Sequence, residues 1–136
     1  MNRRDVDHAL EQFSEDVQFQ DLLFSTDKHG KAELREHFET CLDGFPAGLR
    51  FVIDEVSTDA GDRMTGMYWH CETKDGKAFP FSRGLSFYKV NAAGKICFAR
   101  EIPEPAAKPG PLGLAMAKVG GFLMQFVPES ITFPKI

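Results

Sequence analysis

The chain reads as an α+β domain: helices first, then an antiparallel meander, then an apolar helix. Three observations predict this. Two early segments carry apolar residues at helical spacing. From Leu49 to Pro103 the pattern changes to four runs with the alternation of strands. Asp75-Gly76 and Ala93-Gly94 supply the glycine that a tight hairpin turn needs at positive φ. Helices followed by a meander pack together on one face of a curved sheet.

Each element has a local reason. Asp5 is a suitable N-cap for a short helix whose stripe is Val6, Ala9, Leu10 and Phe13. Asp16 to Ser25 reads as a strand, because Val17, Phe19 and Asp21 alternate with Gln18 and Gln20. Thr26 to Gly30 is a turn. Lys31 to Leu42 is the second helix, with a stripe of Leu34, Phe38, Cys41 and Leu42, stopped by Gly44 and Pro46. Four strands follow, at Leu49–Thr58, Arg63–Lys74, Lys77–Asn91 and Lys95–Pro103, with the first turn of the set at Asp59–Asp62. Pro103, Pro105, Pro109 and Pro111 make a stiff linker. Leu112 to Phe126 is apolar at helical spacing, weakened at Gly120-Gly121. Residues 1–104 are thus expected to form the domain, with residues 105–136 a linker and a helix packed on it.

Composition narrows the function classes. A chain of 136 residues can bury a core without disulfides or metal. Its net charge of −4 argues against nucleic acid as a partner. Cys41, Cys71 and Cys97 are odd in number and form no CxxC pair, as expected of free thiols in a reducing compartment. No run approaches the ~20 apolar residues that span a bilayer, and the start MNRRDVDHAL is too polar for a secretory signal. No Cys/His set has the spacing of a zinc site, and neither a phosphate loop nor a GxSxG elbow is present. Neither metal nor cofactor is expected.

Three segments carry a family likeness: NRRDVDHALEQFSEDVQFQD, HGKAELREHFETCL and SRGLSFYKVNAAGKICFAREI. In order and spacing they resemble the NTF2-like superfamily, in its SnoaL-like branch, from Asn2 to about Glu104. The runs YWHCE, PFSRGLSFYK and REIPEPAAKPG are similar to a group of plant and algal SnoaL-like proteins, many of them plastid-targeted. The resemblance implies a cone whose sheet and helices enclose a pocket, commonly in a homodimer. Cytoplasm or plastid stroma would suit the thiols. Members of the family usually carry a full helix before the position of Asn2. Here only a stub precedes Asp5, so either the chain is truncated or the apolar tail covers the gap.

Strand parity locates candidate pocket residues. Asp21 shares a row with Val17 and Phe19, Arg83 with Phe79, Phe81, Leu85 and Phe87, and Arg100 with Ile96, Phe98 and Ile102. One carboxylate and two guanidiniums therefore interrupt apolar rows, and buried charges need partners. Either Asp21 pairs with an arginine and closes the cone, or Asp21 moves a proton while an arginine holds an oxyanion. On the same parity Tyr88 and Glu101 point outward. His70 alternates with Trp69. If the Trp69 row faces in, His70 lies on the convex side; if not, His70 becomes an acid/base candidate with Tyr68 beside it. Some dehydratases of the resembled superfamily use a histidine on this central strand, a likeness of position only. His8, His29 and His37 read as solvated. Gly84 marks a bulge or a close approach.

Two functions follow. One is a pocket protein for a small apolar ligand, with Trp69, Phe81, Arg83, Phe87 and Arg100 as binding residues. The other is a cofactor-independent cyclase, isomerase or dehydratase acting on a hydrophobic carbonyl compound, with Asp21 or His70 as the catalytic group.

Overall fold

The computed structural model describes residues 2–59 and 63–128. The expected turn at Asp59–Asp62 falls largely outside them. Contacts divide the chain into two units, residues 1–104 and 105–136.

The first unit is an α+β cone. Its elements are α1 (Val6–Leu10), β1 (Phe13–Asp21), β2 (Lys28–His29), α2 (Gly30–Gly44), β3 (Arg50–Asp59), β4 (Met64–Glu72), β5 (Ala78–Val90) and β6 (Ile96–Pro103). Six strands form one sheet in the order β2-β1-β6-β5-β4-β3. The meander pairs are antiparallel, whereas β1 lies parallel to β6 with Asp21 opposite Glu101. That parallel pair sets two acidic residues of distant sequence side by side at one register position.

Asp5 caps α1 as expected, its Oδ1 accepting from the His8 N–H at 3.0 Å. The start of α2 needs Gly30 at φ 77, where an added Cβ would stand 3.1 Å from the Glu15 carbonyl oxygen. At the other end of α2, Arg4 donates to the Leu42 and Phe45 carbonyls, which the helix itself leaves unsatisfied. The Asn2 side chain exchanges two hydrogen bonds with the Phe51 backbone, of 2.8 and 2.7 Å, and so covers part of the β3 edge.

The core lies between α2 and the β1/β6 end of the sheet. Val17, Leu34 and Ala99 are fully buried there, with Leu10, Phe13, Phe19 and Phe38 around them. Each large apolar side chain fully buried contributes roughly 1.5–3 kcal/mol. Phe38 meets Phe19 and Phe13 edge-on, at centroid distances of 5.5 and 5.8 Å.

The second unit contains α3 (Pro111–Met124), with Pro at its first position and Gly110 at φ 51 before it. Phe122 and Phe126 touch edge-to-face one turn apart. Among the described residues no helix is long and apolar enough to cross a membrane.

Candidate functional site

A cavity of about 820 Å³ opens between α2 and the inner face of the sheet. Its wall is mostly aromatic and aliphatic, with Phe19, Phe38, Phe45, Phe51, Met67 and Trp69 among the lining residues. Two groups of polar side chains interrupt it.

The first group hangs from the sheet. Ser86 on β5 is 1% exposed, on a row that also carries Tyr88. The Trp69 indole N–H can only donate, and it gives its proton to Ser86 Oγ at 2.7 Å. Ser86 then donates to Glu101 on β6, and the Tyr88 hydroxyl donates to the other Glu101 oxygen at 2.5 Å. Glu101 is thus held by two hydroxyls on an apolar wall. Burial pushes its carboxyl above the usual range; the two hydroxyl bonds and the charge of His37 oppose the rise, while Asp21 adds to it. Tyr88 is itself raised, mainly by burial.

The second group joins β1 to α2. Asp21 sits at the end of the row of Val17 and Phe19, and its Oδ1 accepts from the Leu23 N–H at 3.0 Å. Its Oδ2 faces His37 Nε2 at 3.2 Å, with side-chain exposures of 12% and 3%. Cys41, one turn beyond His37, brings Sγ within 3.7 Å of the same nitrogen. The hydrogen bond to Asp21 is the main reason the His37 pKa is raised to about 9. Phe24 and Phe19 hold the ring, at centroid distances of 4.8 and 5.3 Å.

A pH dependence follows. Cys41, Asp21 and, through its charge, Glu101 are the titratable groups around His37. A histidine raised from 6.5 to about 9 stabilises the fold fully below pH 6.5 and loses that contribution as pH rises through 9. The contribution reaches at most about 3 kcal/mol. Urea denaturation of chelator-treated protein at several pH values is expected to show the fall, and His37→Gln to flatten it. An equal fall in both proteins would assign it to other groups.

The residues singled out from the sequence divide between the two faces. Asp21, Trp69 and Phe81 line the cavity. Arg83, Phe87 and Arg100 stand on the opposite face, because the inner row of β5 is that of Ser86 and Tyr88 and the inner row of β6 that of Ala99 and Glu101. Arg83 makes a two-pronged pair with Glu104 at 2.8 and 3.1 Å, and Arg100 donates to Gln20 at 2.7 Å while lying over Phe98. Neither arginine meets Asp21; its partner is His37. Phe79 and Phe81 reach the cavity because pairing shifts register between His70 and Glu72, and Phe81 takes φ 51. His70 faces outward, its Nδ1 bonded to Asp54 at 2.8 Å and its Nε2 to Glu72 at 3.2 Å.

The readings that sent Tyr88 and Glu101 outward and left His37 in solvent are therefore corrected. His37 was legible: it lies on the Leu34–Phe38–Cys41 stripe. For Glu101, Ser86 and Tyr88 parity was right about which residues travel together, but it did not say which row was inside. The three cysteines are free. Cys71 is buried, and burial pushes its thiol to about 11.

Comparison with known proteins agrees with the fold. A SnoaL-like family protein from Agrobacterium tumefaciens superposes with a TM-score of 0.61 at 21% identity, over 77% of this chain and 85% of that one. The epoxide hydrolase/cyclase-like enzyme SalBIII of salinomycin pyran ring formation gives 0.61 at 19%, over 75% and 80%. A steroid delta-isomerase from Pseudomonas aeruginosa gives 0.59 at 15%, over 90% and 85%. No curated protein matches the chain. The SnoaL-like domain model matches residues 1–99. The chain belongs to the SnoaL-like domain family.

Proposed function

We propose that the protein is an acid–base enzyme of the isomerase, cyclase or dehydratase kind, acting on a small hydrophobic carbonyl compound with Glu101 as the proton-transfer group. One observation carries this reading: a carboxyl group stands on the wall of an apolar cavity, gripped by the Ser86 and Tyr88 hydroxyls, with burial raising its pKa. A carboxyl so raised holds a proton more tightly than a free one, the direction in which acid–base catalysis tunes a carboxyl group. Glu101 takes the proton α to the carbonyl, and the C–H electron pair moves into the enolate. As Glu101 takes up the proton, the Tyr88 O–H that it held turns to the oxyanion, and the charge of His37 on the same wall favours it. The proton returns from Glu101 at another carbon, or a leaving group departs. Neighbours named for isomerisation and for cyclisation share this fold, which supports the reaction class.

The test is α-proton exchange into D₂O, followed by NMR, for a panel of hydrophobic ketones and enones. Protein-dependent exchange is expected, retained in the outward-facing variant His70→Gln. If no panel member exchanges, the reading fails. The aromatic wall favours a second reading, a carrier for an apolar molecule. Native mass spectrometry showing a stoichiometric apolar metabolite, with no exchange activity, would select it.

A further inference from the structure

We propose that Asp21, His37 and Cys41 form a three-ligand site for a divalent transition-metal cation of the zinc type, with the fourth coordination position open to the cavity. A carboxylate oxygen of Asp21, an imidazole nitrogen of His37 and Cys41 Sγ lie within 4.8 Å of one another, and Asp21 Oδ2 and Cys41 Sγ both approach His37 Nε2.

Their spacing fits a tetrahedral ion. With zinc–nitrogen and zinc–oxygen bonds of about 2.0 Å and a zinc–sulfur bond of about 2.3 Å, tetrahedral edges are about 3.3 Å between N and O and about 3.5 Å between N and S. The observed separations are 3.2 Å for His37 Nε2 to Asp21 Oδ2 and 3.7 Å for His37 Nε2 to Cys41 Sγ. The third edge, from the Asp21 carboxylate to Cys41 Sγ, is no longer than 4.8 Å, and an ion would draw it toward the tetrahedral value of about 3.5 Å.

The ligands are also oriented in advance. Leu23 N–H occupies Asp21 Oδ1 and turns Oδ2 toward the histidine. His37 and Cys41 stand four residues apart on one face of α2, the spacing that brings two helical side chains to one ion. The Phe19 and Phe24 rings fix the imidazole plane. All three ligand residues line the 820 Å³ cavity, so a bound ligand or water can complete the coordination.

Donor chemistry selects the cation. A thiolate, an imidazole and one carboxylate oxygen suit zinc or cobalt, whereas calcium and magnesium require oxygen ligands. On binding, the Cys41 thiol and the protonated His37 ring each release one proton to solvent. The thiolate and the Asp21 carboxylate then balance the two positive charges of the ion. A bound cation would put a Lewis acid where the charge of His37 otherwise stands. The site shares His37 with the proposed reaction but does not depend on Glu101 acting in it.

The experiment is titration of the chelator-stripped full chain with cobalt(II), followed by back-titration with zinc(II). One equivalent of cobalt is expected to give tetrahedral visible bands and a thiolate-to-cobalt charge-transfer band, both removed by one equivalent of zinc. Cys41→Ser is expected to lose the charge-transfer band and at least about 10-fold in affinity, and His37→Gln to lose at least about 10-fold in affinity. Cys71→Ser and Cys97→Ser should keep both. Circular dichroism checks that each variant folds, and the near-isosteric Cys41→Ser keeps the test decisive if His37→Gln does not. No cobalt spectrum, or one that survives Cys41→Ser and vanishes in Cys97→Ser, overturns the site. Loss of the metal site with α-proton exchange intact would leave the acid–base reading standing. Cobalt binding without any exchange would do the reverse.

Discussion

Glu101→Gln is expected to lower α-proton exchange by about 10²–10⁴-fold, the usual contribution of a positioned acid–base group. The amide keeps the shape of the carboxyl and can still accept from Tyr88, but it cannot take up or return a proton at neutral pH. Stability should be held or slightly raised, because the replaced group is one whose charged form burial disfavours. That combination separates a catalytic role from a structural one: NMR exchange collapses while the urea midpoint does not fall. Exchange at the wild-type rate would remove Glu101 from the reaction. A large loss of stability would instead make the Ser86–Glu101–Tyr88 group a structural brace.

Gly84→Ala should give the largest loss of stability of any single methyl added to the sheet. A Cβ there would stand 2.3 Å from Trp69 Cζ2 and 2.7 Å from Cε2 and Cη2. The indole has little freedom to retreat. Its N–H is committed to Ser86 at 2.7 Å, and its ring packs edge-on against Phe51 at a centroid distance of 5.4 Å. The loss should lie near the upper end for overpacking, about 3 kcal/mol. For a domain of this size that lowers Tm by on the order of 15 °C. Combining it with Trp69→Leu, which removes the clashing ring, should restore part of the loss, a non-additivity that identifies the contact. A Tm within about 3 °C of wild type would show that the indole moves aside freely. Because Trp69 orients Ser86 and Ser86 holds Glu101, the single variant should also slow exchange.

Helix α2 and the four meander strands were legible to within about two residues, since they follow local signals: apolar period and the glycines at positions 76 and 94. Strand β1 instead starts at Phe13 and ends at Asp21, and Lys28–His29, read as part of a turn, pairs with β1 as a short strand. The position of Asp21 inside the cone was legible too, because it continues a row anchored by Val17 and Phe19. The site as a whole was not. His37 was set aside as a surface histidine, although three and four residues from Leu34 and Cys41 it falls on the buried stripe. The two rows of β5 misled for another reason: the outward row carries Leu85 and Phe87, which are 42% and 38% exposed, while the inward row carries Ser86 and Tyr88. Counting apolar residues picks the wrong row, since the buried polar groups here satisfy one another and the exposed ones are aromatic.

By itself, then, the sequence determined the order of the helices and the meander strands, the family and the sets of residues that share each meander strand face. Those properties are local, set by turn geometry and by the period of two or 3.6 residues. Only the tertiary structure decided which face lines the cavity, and which residues meet across it. Alternation is relative, and a strand with two plausible rows is oriented by what packs against it: here α2 over β1, and the parallel register that puts Asp21 beside Glu101. The same packing brings His37 and Cys41 to Asp21, a meeting of residues from a helix and a strand that no spacing along the chain encodes.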